Sequence, residues 1–292
     1  MILVLLSACH EPSDPASEGF LYDVSSNDFE VLPLVDFEKN LFLSNLSTYS
    51  KEPFDQVIGA ISSHHTLASA LIHDLFTALP HDAFDHIVII GPDHKSRHGL
   101  KILTTKKGWS TPFGVIPPHL EYHETLSQHP FVEINDNVLQ REHSSTALIP
   151  FVAYYFPDVT VTCLALSSAM NQQESIDFGH FLTEMIQTDA TLVIASLDFS
   201  HYLPVHVAYG KDAETYEAMV NHDYRKIMTF TNDHVDSPPT LVAFLTYLTN
   251  GQYSESHVLA HKNSFDIIPA ENHNTTSYFM MIYTKGRGSD SE

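Results

Sequence analysis

Basic residues are scarce in this chain, and their scarcity argues against two kinds of binding partner. The 292 residues include 14 Lys and Arg against 36 Asp and Glu, which gives a formal net charge of -22. Nucleic-acid binding needs a basic surface that displaces counterions from phosphates. Attachment to anionic lipid headgroups needs similar clusters of basic side chains. We therefore expect no nucleic-acid partner and no electrostatic attachment to membranes.

Long apolar runs and cysteines are scarce as well. No stretch approaches the roughly 18 consecutive apolar residues that predict a membrane-spanning helix. Of the two cysteines, Cys163 lies in the strand-like run VTVTCLAL and is interpreted as a small buried apolar residue. The phosphate-binding patterns GxGxxG and GxxxxGK are absent. The sequence therefore indicates no cofactor other than a metal ion.

The other cysteine, Cys9, is the last residue of an apolar segment at the beginning of the sequence. MILVLLSAC resembles the lipobox of bacterial lipoprotein signal peptides, in which the chain is cut before the cysteine and the cysteine is lipidated. The apolar region is short and no Lys or Arg precedes it, unlike an ordinary secretory signal; a start codon assigned too far downstream would explain both departures. We expect residues 1–27 to be a lipoprotein leader and polar tether, which anchors the protein in the bacterial cell envelope, and residues 28–292 to be one domain. The alternative is a frayed apolar N-terminus on a cytoplasmic protein.

Strand-like and helix-like segments alternate from about residue 28 onward. FDQVIGAIS, DHIVIIGPDH, VTVTCLALS and TLVIAS predict strands, and DHIVIIGPDH is almost wholly apolar, as a strand buried on both faces is. Amphipathic patterns such as TLASALIHDLFTAL and QESIDFGHFLTEMIQ lie between them and predict helices, whereas KKGWSTPFGVIPP indicates a loop. Repeated strand–helix–strand units predict a single α/β domain with a mostly parallel or mixed central sheet flanked by helices.

Histidine and aspartate follow three of these strands. His64 and His65 follow VIGAIS, His94 lies just after HIVIIG, and Asp198 and His201 follow TLVIAS. Because ligands of parallel sheets bind outside the carboxyl ends of the strands, these side chains are expected at one edge of the sheet. Any single histidine at a strand end is more often a surface or turn residue. Their shared position is what indicates a site.

The chain has 20 histidines, and the residue types at this edge suit one divalent metal ion. Neutral imidazole binds Zn, Fe, Cu and Ni, and two histidines with one carboxylate are typical of non-haem iron. His64 or His65, together with His94, would supply two ligands. The segment NDHVDSPPT supplies the third candidate, Asp236, with His234 as the alternative. Asp236 also has an ordinary interpretation, since Asp-Ser-Pro is a common helix entry.

Four further residues are candidates for catalysis. His201 is expected to transfer protons and Asp198 to orient a ligand or substrate. Glu142 and His143 lie in REHSS at a predicted helix start, where polar groups at the rim of a site are expected.

Five short motifs, in order, resemble those of the Memo family. Members of this family, also called protein B of the AmmeMemoRadiSam system, are related to class III extradiol dioxygenases. Their Pro-His-Ala-Gly-like, Gly-Pro-x-His, Trp-x-Thr-Pro-x-Gly, Glu-His-Ser and Ser-x-Asp-Phe-x-His elements stand here as SHHT, GPDH, WSTPFG, EHSS and SLDFSH. The resemblance covers roughly residues 55 to 283 and implies a single α/β domain with a metal pocket.

The resemblance also assigns roles to individual residues. His64 takes the position of the first metal ligand, because His65 stands where the family has alanine, and His94 takes the second. Asp198 and His201 take the positions of the acid and the histidine of the pocket. The family's third ligand, a cysteine in Cys-Gly-x-x-Pro, has no counterpart in HVDSPPT. A carboxylate there favours Fe(II), with Zn or Cu as alternatives.

These residues and the resemblance lead to an expected function with alternatives. The expected function is a non-haem metal-dependent redox enzyme acting on a small molecule. A zinc-dependent hydrolase with an activated water would use the same ligands. A third alternative is a module that binds a ligand or peptide in the pocket without turnover. The resemblance also implies AMMECR-like and radical SAM proteins of the same system as partners.

Overall fold

The computed structural model describes residues 29–35, 37–47, 52–95, 101–269 and 274–286. Residues 1–27, with Cys9, lie outside the described residues, so the leader, the tether and the lipid anchor stay predictions. No helix in the described part of the chain is long and apolar enough to cross a membrane.

Strands make up one large sheet and one small sheet. In chain order the strands are β1 (Val31–Pro33), β2 (Val57–Ser62), β3 (His86–Asp93), β4 (Ile102–Thr104), β5 (Gly108–Thr111), β6 (Gly114–Ile116), β7 (Val132–Ile134), β8 (Thr160–Ser167), β9 (Thr191–Ser196), β10 (Phe199–Leu203), β11 (Tyr253–Asn263) and β12 (Thr275–Lys285).

Helices connect most of these strands. They are α1 (Lys39–Ser44), α2 (Ser69–Thr77), α3 (Leu120–Ser127), α4 (Asp136–Leu139), α5 (His143–Thr146), α6 (Ile149–Tyr155), α7 (Gln172–Met185), α8 (Val205–Val220), α9 (Tyr224–Ile227), α10 (Pro238–Asn250) and α11 (Ser264–Ile267). A 3₁₀ turn, Thr66–Ala68, precedes α2.

The large sheet is mixed, with a parallel centre. Its strand order is β10-β12-β2-β9-β3-β8-β4-β7. In addition, β11 pairs with β12 outside this linear order. Strands β2, β9, β3 and β8 are parallel to one another, whereas β12 and β4 pair antiparallel with the two flanks of this centre. The predicted α/β fold with a mixed central sheet flanked by helices is confirmed.

Two apolar cores lie on the two faces of the sheet. Alternate residues of β3 point to opposite faces: Val88 and Ile90 pack with helices α7 and α10, and Ile87 and Ile89 pack with α2 and α6. All four side chains are fully buried. This double burial explains why the central strands are mainly apolar, with no regular alternation of polar residues.

The small sheet corrects one prediction from the sequence. The stretch around WSTPFG, which we expected to be a loop, forms the antiparallel pair β5–β6, and β1 extends it in parallel. Trp109 is fully buried in the core shared with α2 and α6. A hairpin closed by Pro112 and Phe113 is too short to show a clear two-residue alternation.

A strand that the sequence analysis did not predict follows β9. Phe199–Leu203 forms β10, which pairs antiparallel with β12. The pairing is shifted on both sides of His201, and Tyr202 has a φ of 59°. Such bulges re-aim individual side chains and hide the regular alternation of a strand. His201 therefore lies on an irregular strand beside the carboxyl edge of β9.

Candidate metal centre

Three imidazoles converge at the carboxyl edge of the parallel centre. His64 follows β2, His94 follows β3, and His143 is the first residue of α5. Their possible ligand atoms all lie within 4.8 Å of one another. The ring centroids are 5.3 Å apart for His64 and His94, and 4.2 Å apart for His94 and His143. The arrangement could hold a metal ion.

His64 lies at the bottom of this cluster. Its Nδ1 contacts Ser196 Oγ at 3.2 Å, which leaves Nε2 directed toward Asp236 Oδ2 at 3.4 Å and Asp198 Oδ2 at 3.6 Å. Burial, reinforced by neighbouring His94 and His143, lowers the pKa of His64 well below its ordinary value. His64 is therefore neutral, which is the form that binds metals.

His94 is oriented by Glu142. The buried carboxylate accepts from His94 Nδ1 at 2.7 Å and from the backbone N–H groups of His94 and Ser144 at 3.0 and 3.1 Å. Burial alone would raise the pKa of Glu142, but these bonds hold it below its ordinary value. With Nδ1 engaged, His94 Nε2 lies 3.9 Å from Asp236 Oδ2. A carboxylate that orients an imidazole in this way is typical of metal sites.

A glycine brings His143 to the other two histidines. A Cβ at Gly91 would lie 2.7 Å from Ser144 Oγ and 2.8 Å from Ser144 Cβ, so only glycine lets α5 pack this closely on β3. Ser144 Oγ also donates to Pro92 O at 2.8 Å. This packing stacks the His143 ring on the His94 ring at an angle of 21°.

Asp198 and Asp236 form the acidic side of the centre. The Asp198 N–H donates to Asp236 Oδ2 at 3.1 Å, and the Asp236 N–H donates to Asp198 O at 3.0 Å. Burial raises the pKa of both carboxyl groups, and the proximity of Asp198 raises that of Asp236 further. Among the described residues, the buried Asp236 Oδ1 has no hydrogen-bond partner. A divalent cation would stabilise the ionised form of these buried carboxyl groups, so the imidazole and carboxylate donors fit a metal such as Fe(II) or Zn.

His201 lies beside Asp198. Its backbone N–H donates to Asn232 O at 2.7 Å, and its buried Nδ1 has no hydrogen-bond partner in the described part of the chain. Burial lowers the pKa of His201, although Asp198 acts in the opposite direction. His201 is thus a mainly neutral imidazole with a free nitrogen beside a carboxyl group.

His234 makes its side-chain contacts outside the cluster. Its Nε2 lies 3.1 Å from Glu214 Oε2 and 3.3 Å from Lys211 Nζ, and its ring stacks on Phe230 with centroids 4.2 Å apart. Asp236, two residues later, is the member of this pair that approaches His64 and His94. His234, the alternative third ligand of the sequence prediction, therefore contacts charged side chains of α8.

The structure brings together site residues that the sequence did not group. His143, predicted as a catalytic group at the rim, lies with its imidazole beside those of His64 and His94. Ser196, the last residue of β9, and Tyr278, which contacts His65 Nδ1 at 2.7 Å, were not singled out. The Glu-His-Ser motif was the available signal for His143, whereas a serine or tyrosine in an apolar strand carries none.

The fold and the site define a mixed α/β protein with a histidine and carboxylate cluster at the carboxyl edge of its sheet. The family model described as Memo-like protein matches residues 43–282. The chain therefore belongs to the Memo-like family, as the five motifs predicted.

Curated relatives agree with this membership. A MEMO1 family protein of Methanosarcina mazei is 26% identical over 225 residues, which cover 73% of this chain and 80% of the relative. A relative from Methanosarcina barkeri is 28% identical over 172 residues, and one from Aquifex aeolicus is 27% identical over 135 residues. These two matches cover 57% and 46% of this chain, and the chain spans only 63% and 51% of the two relatives.

The fold has a counterpart among solved structures. An uncharacterized protein of Escherichia coli K12 aligns with a TM-score of 0.53 and 14% identity, covering 78% of this chain and 100% of the other. At this identity the likeness supports the fold alone.

Proposed function

We propose that this protein is a metal-dependent redox enzyme that acts on a small molecule. One divalent ion, with Fe(II) favoured, would be held by Nε2 of His64, Nε2 of His94 and a carboxylate oxygen of Asp236, with His143 close enough to add a third imidazole. The observation that carries the proposal is the convergence of three histidines, whose possible ligand atoms lie within 4.8 Å of one another, on the carboxyl group of Asp236. Its Oδ2 lies 3.4 Å from His64 Nε2, and its Oδ1 has no hydrogen-bond partner among the described residues.

The residues around this set have separate tasks in the proposal. Glu142 fixes the orientation of His94 and leaves Nε2 free for the ion. His201 would hold or move a proton at its free Nδ1, and Asp198 would orient it. The bound metal would supply a coordination position for substrate and, as Fe(II), redox chemistry.

A second candidate, a zinc-dependent hydrolase, is favoured by the position of His143. Three imidazoles with an open position are a common ligand set of catalytic zinc. The same His201 would then accept a proton from the attacking water. A pocket that binds a ligand without turnover is the remaining alternative.

Metal-specific reconstitution distinguishes these functions. Metal-free protein is loaded anaerobically with Fe(II) or with Zn(II), and oxygen uptake with a panel of catechols is compared with hydrolysis of a panel of esters. We expect oxygen uptake by the Fe(II) form, which His201→Ala abolishes while the ion stays bound. Hydrolysis by the Zn(II) form alone would support the second candidate, and inactivity of both forms on both panels would refute an enzyme of either class.

The remaining proposals concern organisation and partners. We propose that residues 1–27 carry a lipid anchor at Cys9 and that residues 28–292 form one domain. We further propose AMMECR-like and radical SAM proteins as partners, a proposal that rests on family membership alone. A pull-down with the full chain, compared with a His94→Ala variant, would test whether partner binding needs the metal centre.

A further inference from the structure

The pocket has an additional histidine, His65, whose role is separate from that of the metal ligands. His65 is exposed, and its backbone N–H donates to Ser63 Oγ at 3.0 Å. Ser63 Oγ in turn donates to Asp198 Oδ1. The His65 imidazole lies close enough to Asp198, His143 and His201 to interact with each of them electrostatically. It therefore belongs to the same pocket, on the side of β10 and β12.

A chain of polar contacts ends on this imidazole. The backbone N–H of Thr276 donates to Ser264 Oγ at 3.1 Å, so the Ser264 hydroxyl keeps its own proton for donation. Ser264 contacts the phenol of Tyr278, and Tyr278 Oη lies 2.7 Å from His65 Nδ1. Tyr278 is fully buried, and burial raises the pKa of its phenol, which therefore stays protonated. The chain runs from Thr276 through Ser264 and Tyr278 to His65.

A protonated phenol at this distance favours one tautomer of His65. A neutral imidazole whose Nδ1 accepts a hydrogen bond carries its proton on Nε2. The rings of His65 and Tyr278 are also stacked, with centroids 5.7 Å apart and an angle of 23°, which restrains rotation of the imidazole. In the described part of the chain, Nε2 of His65 makes no hydrogen bond. His65 is consequently a restrained, unused N–H donor on an exposed side chain beside the metal centre.

We propose that His65 is a ligand-binding residue of this pocket, which donates from Nε2 to an anionic acceptor atom of a small molecule such as a phenolate or carboxylate oxygen. The inference rests on the proposed metal function, because an anion enters a pocket that contains Asp198 and Asp236 only when a cation balances their charge. Tyr278 is a positioning residue that acts through His65.

The tautomer is tested first, without metal. Nitrogen NMR of metal-free protein labelled with ¹⁵N-histidine should show the proton of His65 on Nε2. Tyr278→Phe should convert this signal to a mixture of tautomers. Tyr253→Phe is the matched control, because Tyr253 Oη also contacts a histidine, His222, at 2.7 Å. A His65 proton on Nδ1, or a spectrum of Tyr278→Phe identical to that of the wild type, would overturn the proposal.

Ligand binding is tested second, with azide as the probe anion. Azide is titrated into Co(II)-loaded protein and followed by the visible spectrum of the cobalt. His65→Ala and Tyr278→Phe should each bind Co(II) as the wild type does but bind azide about tenfold more weakly, the effect of losing one hydrogen bond to a charged group. Normal azide affinity in both variants would overturn the proposed role of His65 but not the proposed metal function. Failure of the wild type to take up Co(II) would overturn the proposed metal function and, with it, the role of His65.

Discussion

Glu142→Gln should weaken metal binding while the protein stays folded. The carboxylate accepts hydrogen bonds from His94 Nδ1 at 2.7 Å and from two backbone N–H groups at 3.0 and 3.1 Å. A glutamine has nearly the same shape but no charge, and its amide nitrogen cannot accept a hydrogen bond. His94 would then be free to turn away from the direction in which Nε2 faces Asp236.

The size of the effect follows from the charge of the lost partner. A hydrogen bond to a charged group contributes about 1.5–3 kcal/mol, against about 0.5–1.5 kcal/mol between neutral groups. The substitution therefore removes about 1.0–1.5 kcal/mol of orienting energy, which corresponds to roughly five- to tenfold weaker metal binding. This range reaches the lower end of the ~10–100-fold losses seen when a partner of a metal-binding histidine is removed.

A competition titration measures this loss. Metal-free wild type and Glu142→Gln are titrated with Zn(II) in the presence of a chromophoric chelator, and thermal unfolding of the metal-free proteins reports stability. Glu174→Gln is the matched control, because Glu174 also accepts a backbone N–H at a helix start, that of Asn171 at 2.8 Å, but belongs to α7, away from the cluster. Unchanged zinc affinity in Glu142→Gln would show that the orientation of His94 does not depend on this carboxylate.

Two further predictions concern the third ligand and the stability in acid. Asp236→Ala should weaken metal binding at least about tenfold, whereas His234→Ala should change it little; the reverse result in the same titration would assign the third ligand to His234. Burial lowers the pKa of His86 to about 2 and that of His123 to about 4, against 6.5 for an ordinary histidine. Below pH 6.5 these two histidines bind protons in the unfolded chain but not in the folded chain. Their contribution to the free energy of unfolding should therefore be fully present above pH 6.5 and should fall below it, by about 1.4 kcal/mol per pH unit for each histidine. Urea unfolding from pH 7 to 5 should show this loss, with a shallower slope in His123→Leu, and an identical slope in that variant would refute the assignment.

The parallel centre and its functional edge could be predicted from the sequence because both follow from local patterns. Strands buried on both faces are mainly apolar, as Ile87–Ile90 of β3 are, so they are visible without an alignment. The polar residues that interrupt this pattern, His64 and His94, then lie where the strands end. Chain direction in a parallel sheet brings such ends to one edge, and this geometry needs no knowledge of side-chain packing.

The grouping of His143 with these histidines could not be predicted, because it depends on packing between distant segments. It requires α5 to approach β3 at Gly91, where a Cβ would clash with Ser144. The strand β10 was also missed, since shifted pairing around His201 and the positive φ of Tyr202 remove its alternation. Irregular backbone of this kind is common beside functional sites, and local propensity carries no signal for it.

The central claim is that the histidine cluster holds a metal ion, and the most direct test is the metal content of protein purified anaerobically. Elemental analysis should find about one first-row divalent ion per chain in the wild type. His94→Ala should lose it, because removal of one ligand abolishes most of the affinity of such a site, whereas His201→Ala should retain it. A wild type without metal, or equal metal content in the wild type and His94→Ala, would contradict the account.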